Sequence, residues 1–500
     1  MKVKLKIAIL LLTITFLSFK SIQEPVLFSV PANFPKPDYP FENNPITVAG
    51  VELGKTLFYD AALSSDNTIS CGSCHQQSAG FTQHGHILSH GVNDRLSKRN
   101  AMPLFNLAWA SNFGWDGIAP HLDLFAVSPI TNPVEMDESL ENILEKLRAT
   151  PLYADLFEKA FGSREINNDR LLKALSQFML TMVSANAKYD RYVRKEGLKL
   201  SDIESEGLVL FKQKCASCHS GELFTDFSFR NNGLALRERD KGRFEISQND
   251  ADIYKFKVPS LRNLTYTTPY MHDGRFATLE QVLEHYAAKV EKTDYLDPIL
   301  NKDGKVGIEM NTDEQKKIIA FLKTLDDEDF VKNPMFSEST LISDIPKKNI
   351  DVEIKNFTIN DADTRALFKQ GIETYFKIKA AIAKKNTLEA AEGARVLIKT
   401  LNRVRITEAA QKSFFENYQE KLFLDAKRII EGERFFAHQF DHFDELSEHL
   451  YILLASFKVN DRVLYFNECK RSDMKWISDS ATDSFVPDNC NDVHTKTLNL

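Results

Sequence analysis

The sequence predicts a mainly α-helical protein in which two related domains precede a third, C-terminal helical domain. Its 500 residues exceed what one hydrophobic core usually organises. Apolar residues recur at helical spacing, and the clearest helices in the first two domains are predicted at 140–152, 169–185, 278–286 and 312–325. Thr312 is the predicted N-cap of the last of these, ahead of Asp313 and Glu314.

A repeat of short motifs divides residues 46–330 into two similar units. The paired motifs are Leu57-Phe58 with Leu210-Phe211, Arg99-Asn100 with Arg262-Asn263, and Trp115-Asp116-Gly117 with His272-Asp273-Gly274. We therefore expect domains at 46–195 and 196–330. A charged segment with two prolines predicts a linker at 331–360. Four amphipathic patterns then predict a helical bundle within residues 361–500, with a strand near 463–466 and helices at 364–384, 388–401, 409–431 and 440–456.

The N-terminus predicts export. Lys2, Lys4 and Lys6 precede an apolar run over 7–17, which is typical of a signal peptide at 1–24 and indicates a periplasmic protein. An uncleaved anchor is the alternative. Residues 25–45, rich in proline and phenylalanine, predict an extended arm. The net charge of -7 gives no reason to expect nucleic-acid binding.

Two Cys-x-x-Cys-His motifs carry the chemistry of the chain. Cys71, Cys74 and His75 form the first, and Cys215, Cys218 and His219 form the second. This pattern attaches c-type haem through two thioethers and offers the histidine to the iron. A redox dithiol needs no adjacent histidine, and a zinc site needs further ligands at similar spacing. The sequence therefore predicts two covalently bound c-type haems, one in each cytochrome c-type domain.

The sequences around these motifs resemble bacterial diheme cytochrome c peroxidases, a family that includes MauG. The resemblance covers about residues 46–330. It rests on Arg99-Asn100, Trp115–Gly117 and Pro129–Met136 in the first domain, and on Phe256–Asn263 and Pro269–Glu280 in the second. It implies that the first haem reacts with hydrogen peroxide and that the second passes electrons to it.

The resemblance assigns three residues to the first haem site. His90 matches a distal histidine on a mobile loop, with His84 and His86 as neighbouring alternatives and an exposed loop histidine as the plain interpretation. Glu135 matches the distal carboxylate, which would move a proton between the two oxygens of peroxide. Trp115 matches a tryptophan between the haems, although a core tryptophan would look the same.

Two positions depart from the family pattern near the first haem. Ile118 stands where the family usually has arginine, and Phe125 stands where it usually has glutamine. Loss of a polar distal side chain puts simple peroxide reduction in doubt.

At the second haem, Tyr286 occupies the place of the distal ligand, which is methionine in the peroxidases and tyrosine in MauG. Met271 and His285 are alternative ligands, and Tyr286 packed at the haem edge is the plain interpretation. The family also implies a calcium ion between the haem domains, held by Asn100, Thr267 and Pro269 through oxygen atoms.

Four short stretches of the C-terminal domain carry a second resemblance, at Tyr375–Lys377, Tyr465–Cys469, Trp476–Ser478 and Cys490. Through them, residues 361–492 resemble, more loosely, a helical domain of unknown function that accompanies periplasmic copper-efflux components. Its Cys469 and Cys490 are predicted to form a disulfide in an oxidising compartment. Copper(I) binding together with Met474 is the alternative, because soft sulfur ligands suit that ion.

Three functions follow as hypotheses. The first is a periplasmic peroxidase that reduces hydrogen peroxide with electrons from a small cytochrome c or cupredoxin. The second is a MauG-like oxidase of a protein or organic substrate, suggested by Tyr286 and Phe125. The third is a diheme electron carrier or sensor without catalysis. A homodimer is compatible with each.

Overall fold

The computed structural model describes residues 27–83, 87–235, 240–341, 354–434, 436–459, 463–469, 474–480, 483, 485, 490 and 493–498. The predicted signal peptide and the alternative ligands His84 and His86 lie outside these residues. The prediction of a mainly α-helical chain is confirmed. Within the described residues, no helix is both long and apolar enough to cross a bilayer.

The first domain packs helices around a buried aromatic core that includes Phe58, Phe81 and Phe178. Its helices are α1 Val48–Tyr59, α2 Cys71–Cys74, α3 Leu122–Phe125, α4 Val127–Thr131, α5 Leu140–Ala149, α6 Pro151–Phe161, α7 Asn168–Thr181 and α8 Lys188–Val193. The predicted arm before α1 has no helix or strand over its described residues, and it buries Phe34 and Tyr39 in this core.

The second domain is smaller and has a separate core around Phe211, Phe224 and Phe321. Its helices are α9 Asp202–Lys214, α10 Phe244–Ser247, α11 Leu279–Glu284, α12 Thr312–Leu322 and α13 Glu328–Val331. Two short antiparallel pairs join β1 Phe229–Arg230 to β2 Phe256–Lys257 and β3 Asn301–Lys302 to β4 Lys305–Val306.

The repeat seen in the sequence corresponds to a repeated helix contact. In the first domain α1 packs on α7, and a Cβ atom at Gly54 would lie 1.9 Å from the Ala174 carbonyl oxygen. In the second domain α9 packs on α12, and a Cβ atom at Gly207 would lie 2.0 Å from the Lys317 carbonyl oxygen. Each glycine precedes its Leu-Phe pair by three residues, so the two domains share one close helix crossing.

The third domain combines four helices with a small sheet, and the bundle prediction is confirmed. Its helices are α14 Ala362–Ala383, α15 Thr387–Leu401, α16 Ala409–Glu431 and α17 Phe436–Phe457. The sheet has the order β6-β5-β7, with β5 Leu464–Cys469, β6 Lys475–Ser478 and β7 Val493–Leu498, all antiparallel. The sequence pattern indicated only the first of these strands.

Three predicted boundaries are wrong for local reasons. The helix predicted at 140–152 is two helices, because Pro151 lacks the N–H that would continue α5 and instead begins α6. The N-cap of α12 is Asn311, whose side chain accepts the N–H of Glu314, and not Thr312. The linker begins later than 331, because Val331 and Phe336 are buried in the core of the first domain.

Cys469 and Cys490 form a disulfide that joins β5 to the chain before β7, as predicted, and Met474 is buried in the same core. The bridge closes a loop of 21 positions. Loop-closure entropy then predicts that Cys469→Ser with Cys490→Ser lowers the unfolding free energy of this domain by about 3 kcal/mol. Denaturant unfolding measures it. Reductant should destabilise the original protein and leave the double variant unchanged, and equal stability of the two proteins would contradict the prediction.

Candidate haem centres

The two Cys-x-x-Cys-His motifs adopt the same local arrangement. Cys71 and Cys74 lie one turn apart on α2, and the N–H of His75 donates to the Cys71 carbonyl oxygen at 2.9 Å. Cys215 is the C-cap of α9, and the N–H of His219 donates to the Cys215 carbonyl oxygen at 3.1 Å. In both motifs, the backbone turn places the histidine directly beside the pair of thiols.

Both histidines are prepared to bind a metal through one ring nitrogen. Nδ1 of His75 hydrogen-bonds the Phe81 carbonyl oxygen at 2.8 Å. Nδ1 of His219 hydrogen-bonds the carbonyl oxygens of Phe224 and Pro259, each at 3.2 Å. Burial lowers the pKa of both imidazoles, which favours the neutral form. A backbone carbonyl that accepts a hydrogen bond from Nδ1–H leaves Nε2 as the ligand atom, as is usual for metal-binding histidines.

The second motif opens into a large, mostly apolar cavity. Its empty space, including the part open to solvent, is about 1530 Å³. Cys215, Cys218 and His219 lie on its wall together with Leu279, Leu283 and Ile318. Two thiols, one ligating imidazole and an apolar enclosure fit a covalently attached haem.

Two of the three alternative distal ligands lie in this cavity. Tyr286 and Met271 both line it. The side-chain amide of Asn232 lies 3.5 Å from the Tyr286 hydroxyl and 3.6 Å from the Met271 sulfur. His285 is not among the lining residues, and its Nε2 hydrogen-bonds the Asn232 carbonyl oxygen at 3.0 Å. The arrangement therefore favours Tyr286 or Met271 over His285.

Tyr286 is placed by an irregular end of its helix. After α11 the chain forms a π-helical turn over His285–Lys289, a feature that often marks functional sites. Burial raises the pKa of Tyr286 to about 12, an effect that the Asn232 hydrogen bond opposes. The phenol is therefore neutral at ordinary pH in these surroundings, and only a nearby cation would favour its phenolate form.

Trp115 belongs to the first domain but lines the cavity of the second. Its indole Nε1 donates to the Asn100 carbonyl oxygen at 2.8 Å, and its ring centre lies 6.4 Å from that of His272. The His272 ring in turn stacks on Phe256 at 3.5 Å. This tryptophan therefore sits at the contact between the first and second domains, and its place between the two haems stays a prediction.

Glu135 lies beside the first motif in a partly buried position. Burial raises the pKa of its carboxyl group, and a hydrogen bond from the Asn132 amide at 2.7 Å opposes that rise. Burial also raises the pKa of the Cys74 thiol to about 12. A hydrogen bond with Ser89 opposes this rise, and the nearby Glu135 charge adds to it. The structure thus brings together Glu135 and Cys74, which are far apart in the sequence.

Asn132 allows a test of this carboxyl group. Asn132→Asp removes the amide donor and adds a negative charge, so the pKa of Glu135 should rise further. A base is active above its pKa, so the acidic limb of the pH profile of kcat/KM for peroxide should move to higher pH. Asn43→Asp, at an exposed site of the arm before α1, should leave the profile in place. If the acidic limb did not move in Asn132→Asp, Glu135 would not be the base whose titration limits the reaction.

His90 lies in a short bridged segment next to Glu135. The N–H of Val92 donates to the Glu135 carbonyl oxygen at 2.8 Å, and His90 pairs with Leu96. The His90 imidazole hydrogen-bonds Asp94 through Nδ1, and its ring centre lies 5.1 Å from that of His442 in α17. Its role as a distal ligand stays a prediction.

The two departures from the family pattern lie in different surroundings. Phe125 packs on Phe113 with ring centres 5.7 Å apart, at the edge of the first core. Ile118 is exposed. The amide of Asn132 is a polar group that the described structure places on Glu135. Asn132 belongs to the Pro129–Met136 motif, but no role was predicted for it from the sequence.

The residues predicted to hold calcium all line the cavity of the second domain, where it meets the first. Asn100 is buried, its side-chain N–H₂ donates to the Ile87 carbonyl oxygen at 3.0 Å, and its Oδ1 is the atom a cation would use. The Thr268–Pro269 peptide bond is cis. Calcium binding at Asn100, Thr267 and Pro269 stays a prediction.

Relatives resemble about 60% of the chain. Methylamine utilization protein MauG of Methylorubrum extorquens is 40% identical over 302 residues, which are 60% of this chain and 83% of the relative. Cytochrome c551 peroxidase of Nitrosomonas europaea is 38% identical over 304 residues, 59% of this chain and 85% of the relative.

A solved structure and two family models extend the comparison. A crystal structure of a MauG-like protein associated with microbial copper homeostasis superposes with a TM-score of 0.57 and 30% identity, covering 62% of this chain and 98% of the other. Residues 48–197 match the family described as di-haem cytochrome c peroxidase. Residues 372–462 match a family described as a protein of unknown function (DUF3347).

Proposed function

The chain belongs to the family of di-haem cytochrome c peroxidases and MauG proteins, and is an oxidoreductase of the peroxidase type. We propose that it acts in the periplasm and reduces hydrogen peroxide to water with electrons from a small redox protein such as a cytochrome c or cupredoxin. The observation that carries this proposal is the partly buried Glu135 carboxyl group, held by Asn132 beside the first haem motif.

The haems are attached through Cys71 and Cys74 in the first domain and through Cys215 and Cys218 in the second, with His75 and His219 as iron ligands. When bound, they supply the redox-active iron that peroxide reduction requires. Lys214, Arg230 and Lys257 lie on the wall of the second cavity. Their positive charges suit the carboxylate groups that a haem carries.

Glu135 moves the proton. In its carboxylate form it accepts a proton from one oxygen of hydrogen peroxide and returns it to the other as the O–O bond breaks. Two electrons and two further protons complete the conversion to two water molecules. The partial burial that raises the pKa of Glu135 makes it a stronger base than an exposed carboxylate, which helps the first of these transfers.

Other residues of the chain support this reaction. Trp115, at the contact between the domains, gives electrons an aromatic route from the second domain to the first. His90 would be the displaceable distal ligand of the first haem, and Tyr286 would be the distal ligand of the second. Asn100, Thr267 and Pro269 would hold a calcium ion between the two domains.

A second candidate function is oxidation of a protein or organic substrate, as in MauG-like enzymes. Tyr286 in the cavity wall and Phe125 in place of a polar distal residue favour it. The two functions differ in what peroxide oxidises. Consumption of peroxide that requires an added organic or protein substrate, and not a reduced redox protein, would select this one.

The experiment is steady-state turnover of the full-length, haem-loaded protein with hydrogen peroxide and a reduced small cytochrome c or cupredoxin. We expect peroxide-dependent oxidation of the donor. If the fully haem-loaded protein showed no turnover with any donor, the peroxidase proposal would be contradicted. If, in addition, neither oxidation state bound cyanide, azide or carbon monoxide, the chain would be an electron carrier or sensor.

A further inference from the structure

The C-terminal domain reaches the loop that carries His90. Arg428 of α16 donates from Nε and Nη2 to one carboxylate oxygen of Asp94, at 3.1 and 3.0 Å. The other oxygen of Asp94 hydrogen-bonds Nδ1 of His90. His442 of α17 places its ring centre 5.1 Å from that of His90. Two helices of the third domain thus contact one loop of the first haem site.

The residues of the third domain that make these contacts are buried and are held by further hydrogen bonds within that domain. The Arg428 side chain is only 7% exposed, and its Nη1 also donates to Glu431 at 2.6 Å. The buried His442 hydrogen-bonds Glu445 through Nδ1 at 2.9 Å. Charge-assisted hydrogen bonds of this kind are stronger than neutral ones. The position of the His90 imidazole is therefore set by residues far away in the sequence.

The same loop faces the haem motif with its other side. The side chain of Ser89 lowers the pKa of the Cys74 thiol, and the His90 carbonyl oxygen lies 3.9 Å from the Cys74 sulfur. Successive side chains of an extended segment point to opposite sides. Ser89 therefore faces Cys74, while the His90 imidazole is turned toward Asp94 and the third domain.

We propose that Arg428 and His442 are positioning residues of the first haem site. Through Asp94 and the imidazole itself they hold His90 in the position displaced from the haem. The sixth coordination position of that haem then stays open in the oxidised protein. The proposal rests on the proposed function, in which His90 is a displaceable ligand, and adds that the C-terminal domain sets where this ligand resides.

The test is the low-temperature electron paramagnetic resonance spectrum of the fully oxidised, haem-loaded, full-length protein without peroxide or donor. We expect a high-spin first haem in the original protein. In Arg428→Gln most of this signal should become low-spin, because His90 is released to bind the iron. Arg428→Gln combined with His90→Ala should restore the high-spin signal, and Arg428→Lys, which keeps the charge, should change less than Arg428→Gln.

Two further variants control the experiment. Arg395→Gln removes an arginine of the same domain that pairs only within that domain, with Glu392 and Glu433, in the described structure, and it should leave the spectrum unchanged. Asp94→Asn removes the negative charge that holds Arg428 from the loop side without touching the helices of the third domain, and it should shift the spectrum in the same direction as Arg428→Gln.

Three outcomes would overturn the proposal. One is an original protein whose first haem is low-spin and becomes high-spin in His90→Ala. Another is an unchanged spectrum in both Arg428→Gln and Asp94→Asn. The third is a low-spin signal that persists in the double variant. Because the spectrum needs neither peroxide nor donor, a lack of peroxidase turnover with the expected spectra would count against the proposed function alone.

Discussion

Glu135→Gln should lower kcat/KM for hydrogen peroxide by about 10²–10⁴-fold, the usual contribution of a positioned general base. Glutamine has nearly the same shape, and its side-chain oxygen can still accept the Asn132 hydrogen bond seen at 2.7 Å. It cannot take a proton from peroxide at any ordinary pH. Haem content and the spectrum of the oxidised protein should therefore stay the same while turnover is lost.

Glu141→Gln is the matched control for that substitution. Glu141 lies in the first turn of α5, is exposed and belongs to the same domain. Its replacement should leave kcat/KM within the error of the measurement. If Glu135→Gln also retained full activity with both haems bound, the proton would have to be moved by another group, and the account of the first site would be wrong.

Tyr286→Met should raise the reduction potential of the second haem by on the order of 100 mV or more, because axial ligands set haem potentials over a range of about 0.8 V. Phenolate is a hard anionic donor that stabilises ferric iron, whereas thioether stabilises the ferrous state. Tyr286→Phe should open the sixth position or recruit water, with a shift toward high-spin absorption. Spectroelectrochemical titration of each variant measures both effects.

Tyr270 supplies the control for Tyr286. It lines the same cavity, but its hydroxyl donates to the Leu264 carbonyl oxygen at 2.9 Å. Tyr270→Phe should therefore leave the spectrum and the potential of the second haem nearly unchanged. An unchanged spectrum in Tyr286→Phe with haem content intact would mean that Tyr286 is not a ligand of the iron. A spectral change in Met271→Leu would then assign Met271 instead.

Local chemistry explains why much of the site was readable from the sequence. A Cys-x-x-Cys-His motif defines its own turn, so the placement of His75 and His219 beside their thiols follows from five consecutive residues. The helices of the third domain have long apolar stripes and were predicted to within four residues at either end. Where a single residue determines the start of a helix, as Pro151 and Asn311 do, the predicted boundary is wrong.

Contacts between distant segments were beyond the sequence pattern. Asn232 touches Tyr286 across 54 positions, and Arg428 pairs with Asp94 across 334 positions. Asparagine and arginine are common on protein surfaces, so the residue type alone does not indicate a role in a functional site. The packing of α16 and α17 on the His90 loop brings the C-terminal domain to the first haem site.

The most direct test of the central claim is the stoichiometry of peroxide reduction by the full-length protein with both haems bound. A limiting amount of hydrogen peroxide is added to excess reduced cytochrome c, and the oxidised cytochrome is counted by absorbance. The proposed function predicts two molecules of cytochrome oxidised for each peroxide consumed. Peroxide consumed with no cytochrome oxidised, or no peroxide consumed at all, would contradict it.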